Sequence, residues 1–204
     1  MLEDETRERL TGLLTDVPIF RAQGSPLDYL GALERALLFY PVFPDWRSPV
    51  DGWLDEAERL SRELGREATL GFVNIRRAVV AMRRADLAAA LAQLEGMESM
   101  LPRLEPTHRA WHAITRARVL TRQRQLDAAR AGLTAVDSGG SDDWLAPVQR
   151  LAEGELRIEE GHIDEGREVL LQAWSGLVPE LVEERIAALQ LLGFAAIAQA
   201  DAPA

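Results

Sequence analysis

The sequence predicts an all-α fold: a right-handed array of antiparallel helical hairpins, with about ten helices. Three observations carry this expectation. Apolar residues recur at the three- and four-residue spacing of a helix face almost throughout, and no stretch shows the sustained alternation of a half-buried strand. A phrase recurs at 77–94, 116–133 and 153–170, a period of about 38 residues. Units of that size cannot bury their apolar faces alone and do so by stacking. Helix-start signals also repeat, at Ser25-Pro26-Leu27-Asp28 and Ser48-Pro49-Val50-Asp51. In each, serine accepts from free backbone N–H groups, proline suits the first helical position, and aspartate complements the N-terminal dipole.

Taken in order, the first helix is expected over 4–15, the second from Ser25, and the third from Ser48 to Leu64, with Pro41, Pro44 and Asp45 turning the chain between the last two. Helices follow over 68–84 and 86–101, where Pro102 and Pro106 bracket the exit, then over 107–124 and 125–136. The run 137–141 reads as the one flexible linker. Beyond it lie helices over 142–160, stopped by Gly161, over 163–177, and from 179 to about 200. The whole chain, 1–204, reads as one helical domain: irregular helices over 1–66, repeats over 67–178, and an apolar C-terminal helix over 179–200.

Composition narrows the chemistry. The 204 residues are 47% hydrophobic and 27% charged, a globular balance. All 23 basic residues are arginine, and neither lysine nor cysteine occurs. That removes Schiff-base lysines, thiol nucleophiles, disulfides and thiolate metal sites. Arginine in place of lysine, with heavy alanine and leucine use, points to a GC-rich bacterial genome. A net charge of −10 argues against direct nucleic-acid binding and against anionic membranes. The acidic N-terminus lacks a signal-peptide core, so a cytoplasmic location is expected, and 186–198 is too short to span a bilayer.

When the three phrases are aligned on Leu87, Leu126 and Ile163, small residues follow at Ala90, Ala129 and Gly166, then large apolar ones at Leu94, Leu133 and Leu170. Upstream, Ala78, Ala117 and Gly154 put a small residue where two helices would cross closely. This pattern, over about 70–178, resembles the tetratricopeptide repeat in a degenerate bacterial form. It departs from that family in its longer spacing, in Arg157 at an apolar site, and in Ala85 and Arg124 where the turn glycine is usual. The resemblance implies a non-enzymatic interaction module, an adaptor, scaffold or regulatory subunit, that holds a protein or acidic peptide in a concave groove. Other readings are the sensory or oligomerising part of a transcription-regulator system and a small helical enzyme.

Carried onto this chain, the groove includes Phe72, Arg76, Val79 and Arg83 from one helix and Trp111, Ile114, Arg118 and Arg122 from the next. Phe72 and Trp111 would anchor a partner, and the four arginines would form a carboxylate clamp, because the guanidinium fork suits bidentate pairing. The alternative is that these arginines pair with acidic residues of neighbouring helices in the same chain. Charge supports an interaction polarity: 66–130 holds twelve arginines and six acidic residues, leaving eleven and twenty-seven elsewhere.

Catalytic and metal signals are weak. His108 and His112 share a helix face without the glutamate of a zinc hydrolase helix and read as a surface pair. Glu159 and His162 have the spacing of a di-iron ligand pair, but Gly161 separates them. No metal, cofactor or catalytic residue is expected. The acidic pairs Glu159-Glu160 and Glu183-Glu184 read as solvated. The last helix is apolar around most of its circumference, which makes Ile186, Leu189, Leu192, Phe194 and Ile197 candidate contacts in a homo-oligomer.

Overall fold

A computed structural model of the protein describes residues 2–39, 49–136, 144–179 and 181–200. Among them there are ten α-helices, one 3-10 turn (Leu101–Arg103) and no strand. The helices are α1 (Leu2–Gln23), α2 (Pro26–Phe39), α3 (Val50–Glu63), α4 (Glu67–Arg83), α5 (Leu87–Glu95), α6 (Pro106–Arg122), α7 (Leu126–Thr134), α8 (Leu145–Glu159), α9 (Ile163–Gly176) and α10 (Val182–Ala200). Each packs against its successor, and α2, α4, α6, α8 and α10 also pack each against the next in that series. One apolar cluster runs through the molecule from Val17 on α1 to Ala195 on α10. A smaller one, Ala78, Met82, Ala90, Leu94 and Val119, fills the space between α4, α5 and α6.

Four of the turns share one backbone conformation. Gly65, Ala85, Arg124 and Gly161 all have positive φ, at 64°, 61°, 63° and 90°. After each, the next residue's N–H bonds back to the carbonyl five residues earlier: Arg66 to Ser61, Asp86 to Ala81, Gln125 to Leu120 and His162 to Arg157, at 2.8 to 2.9 Å. This is the left-handed helix stop that glycine ordinarily serves. Ala85 and Arg124 adopt it despite their Cβ, at an expected cost of about 1 kcal/mol each. The turns at Ala85, Arg124 and Gly161 lie two residues before Leu87, Leu126 and Ile163, in register with the repeated phrase.

Small residues set the closest helix crossing. A Cβ on Gly154 would lie 2.7 Å from Leu170 Cγ, and one on Gly166 would lie 2.7 Å from Ile158 Cγ1 and 3.0 Å from the Gly154 carbonyl oxygen. α8 and α9 therefore touch backbone to backbone. Ala78, Ala90, Ala117 and Ala129, at the corresponding sites of the earlier phrases, are fully buried.

Several sequence expectations are corrected. α1 continues past Thr15 to Gln23 with Pro18 inside it, because Val17 is buried and Phe20 packs on the core. α5 stops at Glu95, and the chain turns through Leu101–Arg103 to bury Leu104 against Gly71. At Ser25 the expected cap is present and reciprocal: Ser25 Oγ accepts from the Asp28 N–H at 3.2 Å and donates to its carboxylate at 2.7 Å. The expected turn at Pro41–Asp45, the cap at Ser48 and the linker at 137–141 lie outside the described residues.

Candidate functional site

A cluster of charged side chains lies inside the protein, where α4, α6, α8 and α10 meet. Phe72, Arg76, Val79 and Arg83 follow one another at helical spacing along one face of α4, as do Trp111, Ile114, Arg118 and Arg122 along α6. At one end of this shared face the aromatics meet at an angle. Phe72 and Trp111 have ring centroids 5.6 Å apart, and Trp144 meets Trp111 edge-on at 6.1 Å. At the other end the arginines converge on glutamates of the following helices.

Glu155 of α8 is gripped through both oxygens. Arg118 Nε donates to Oε2 at 2.9 Å and Arg122 Nε donates to Oε1 at 2.6 Å. Burial works to raise the Glu155 carboxyl, but the charges and hydrogen bonds of Arg118 and Arg122 outweigh it and hold the group below the usual carboxylate range. Glu183, in the first turn of α10, takes the other two. Arg76 Nη1 donates to its Oε2 at 2.5 Å, while Arg83 donates from Nη2 to its backbone carbonyl at 2.9 Å and brings Nε within 3.3 Å of Oε1.

Glu184 is different. It is buried beside Glu183, and burial and the Glu183 charge raise its carboxyl above the ordinary range, with Arg76, Arg83 and Arg118 opposing. Burial lowers the Arg83 guanidinium, against the pull of Glu183. Arg118 Nη2 is buried with no hydrogen-bond partner among the described residues. Three carboxyl groups thus face four guanidiniums, and the carboxyl of Glu184 is raised where that of Glu155 is lowered.

These positions correct the open-groove expectation. Phe72, Arg76, Val79, Trp111, Ile114 and Arg118 are all buried, and the side chains of Arg83 and Arg122 are 11% and 27% exposed. The four arginines pair within the chain, and Phe72 and Trp111 anchor the core. Sequence reading missed Glu183 and Glu184, which it took as solvated, and Glu160, whose side chain is 6% exposed and pairs with Arg130 at 2.8 Å. The signal lay in the arginine excess of 66–130 together with an acidic pair heading an apolar helix.

Past the two glutamates, α10 buries Ala187, Ala188 and Ala195 in the core and makes few polar contacts. The Arg185 guanidinium stacks 4.0 Å over the Trp174 ring and donates to the Leu177 carbonyl at 2.9 Å. Near the far end, the Gln199 amide donates to Asp164. Ile186 and Leu192 are half-buried, whereas Leu189, Phe194 and Ile197 are 54%, 56% and 64% exposed.

Compared with protein-family models, with curated proteins and with solved structures, the chain gives no significant match. Its chemistry is therefore read from its own residues. His112 is buried and not the surface residue expected: its Nε2, assigned as the protonated nitrogen, lies 3.0 Å from the Leu94 carbonyl, and burial lowers its pKa. Glu159 and His162 are separated by the Gly161 turn; Glu159 pairs with Arg124, and His162 Nδ1 lies 3.7 Å from Glu165. Among the described residues no group of three metal-binding side chains assembles, and no helix is long and apolar enough to cross a membrane.

Proposed function

We propose that the protein is a non-enzymatic interaction module, an adaptor or regulatory subunit built as an array of helical hairpins of the tetratricopeptide kind. Its inner face receives an acidic helix. The observation that carries this reading is the convergence of Arg76, Arg83, Arg118 and Arg122 from two successive helices on carboxylates of the next helices. The period shared by the phrase and the left-handed turns supports the hairpin reading. Arg83 grips the Glu183 backbone carbonyl as well as its side chain, a geometry suited to an acid borne on a helix start.

The test uses the full chain and a fluorescent peptide copying residues 179–200. The peptide binds with an affinity that falls as salt rises, and a counterpart carrying Glu183→Gln and Glu184→Gln binds at least tenfold more weakly. Equal binding of the two peptides contradicts a carboxylate-directed site.

A second surface supports self-association. From Ile186 to Ala200 α10 carries no charge, while the chain as a whole is at −10. Copies that repel elsewhere can meet along Ile186, Leu189 and Ile197 without like-charge opposition. Leu189→Glu with Ile197→Glu shifts light-scattering mass from dimer to monomer in this reading; a monomeric parent chain at micromolar concentration contradicts it.

A further inference from the structure

We propose that the arginine cluster also binds one carboxylate from outside the chain, held by the terminal nitrogens of Arg118, Arg122 and Arg83. This site goes beyond the interaction-module reading and stands whether or not a partner helix docks, because its ligand is a single acid group.

The pairing of these arginines within the chain uses few of their donors. A guanidinium carries five N–H groups. Arg118 and Arg122 each meet Glu155 through Nε, at 2.9 and 2.6 Å, and among the described residues no acceptor bonds to Nη1 or Nη2 of either. Sharing one carboxylate holds the two guanidiniums side by side. Arg118 is 4% exposed, and its Nη2 is both buried and without a hydrogen-bond partner among the described residues. A buried donor left unbonded weighs against the fold, so an arriving acceptor gains more there than at the surface. Arg83 uses Nη2 for the Glu183 carbonyl and turns Nε to the Glu183 carboxylate, which leaves its Nη1.

Charge points the same way. Burial lowers the Arg83 guanidinium, Glu183 opposes it, and the charges of Arg118 and Arg122 add to the lowering, so these three cations lie close enough to repel. The acids that act on Arg83 and Arg118 are Glu155, Glu183 and Glu184. Four guanidiniums against three carboxyls leave at least one positive charge uncompensated in the cluster. A monoanion balances it, and the guanidinium fork suits both oxygens of a planar carboxylate. A phosphate carries up to two charges and overshoots.

Access is from the C-terminal ends of α4 and α6. Arg83 and Arg122 stand in the last turns of those helices and keep part of their side chains in solvent, while Arg118 lies one turn further in. Two partly exposed guanidiniums are enough for the head group of an acid. That head group belongs to a small carboxylic acid or to the free C-terminus of a peptide.

Full-length protein with isotope-labelled arginine is titrated with sodium acetate, and with sodium chloride at matched ionic strength, while the Nε–H signals of Arg118 and Arg122 are followed by NMR. Acetate is expected to move both signals to saturation, and chloride to leave them in place. Arg122→Lys keeps a cation for Glu155 but loses the fork, and is expected to weaken acetate about tenfold. Arg103→Gln, at the opposite end of α4 where Arg103 pairs with Glu67, leaves binding unchanged. Should Arg122→Lys disturb folding, Arg83→Gln gives the same test. A second arm compares acetyl-triglycine with its C-terminal amide. Tighter binding of the acid peptide than of acetate assigns the site to a chain end, and binding no tighter assigns it to a free small acid. Equal shifts in acetate and chloride, or acetate binding that survives both Arg122→Lys and Arg83→Gln, overturn the site. Failure of the peptide copying 179–200 to bind leaves this result untouched, so the two readings are judged separately.

Discussion

Glu155 and Glu184 are buried carboxyls that share the Arg118 field, and they behave in opposite ways. Glu155 has a guanidinium on each oxygen and sits below its ordinary pKa; Glu184 has a carboxylate neighbour, only long-range help from arginines, and sits above it. The difference shows that an ionic cluster stabilises where each charge has directed partners and weighs against the fold where it does not. The α8 half of the cluster is therefore a fixed part of the architecture, and the α10 half is the weaker joint.

The largest effect separates the two halves. Glu155→Ala leaves Arg118 buried and unpaired and is expected to cost about 3–5 kcal/mol in urea unfolding. If it costs as little as an exposed pair such as Arg59 with Glu63, the cluster is not structural. Glu184→Gln goes the other way, stabilising by about 1–2 kcal/mol at pH 8, the scale for relieving a badly partnered buried group.

The pH dependence carries the signs. Glu184, with its folded pKa raised, contributes stability that is complete below its unfolded value near 4.5 and is lost as pH rises through the folded value. Glu155, with its folded pKa lowered, contributes stability present above its unfolded value and lost as pH falls through the folded value. Glu184→Gln therefore removes a decline that sets in as pH rises above about 4.5, whereas Glu155→Gln removes a decline that sets in as pH falls below it. Thermal melts from pH 3 to 9 distinguish the two; a Glu184→Gln curve parallel to the parent contradicts the assignment.

Smaller effects sharpen the comparison. Arg185→Ala removes the Trp174 stack at an expected cost of roughly 0.5–2 kcal/mol, confined to α10. Ala85→Gly relieves the left-handed turn and stabilises by about 1 kcal/mol. Arg124→Gly relieves the same strain but loses the bonds of Arg124 to Glu159, so its gain is smaller. Equal gains at the two sites would mean that the Arg124 bonds contribute nothing.

Much of the fold was legible. Helix-face periodicity located all ten helices, and Ser25 with Asp28 marked a true cap, because both are local signals. Alignment on Leu87, Leu126 and Ile163 also found the turn positions, although two lack glycine. What escaped was tertiary. Pro18 lies inside α1 because burial of Val17 and Phe20 overrides a local break, which no window around the proline reveals. The site was half legible: helical spacing grouped Arg76 with Arg83 and Arg118 with Arg122, but the spacing of a helix face says nothing of whether solvent or another helix lies over it. Here α8 and α10 do, and Glu183 stands 107 residues from its partner Arg76.

Hydrogen exchange of the full-length chain, resolved by helix, tests the central claim most directly. The account predicts that the amides of α10 exchange through a local opening much faster than those of α6 and α8, and that Arg185→Ala accelerates α10 alone. Protection of α10 equal to that of α8, lost only with global unfolding, would contradict it.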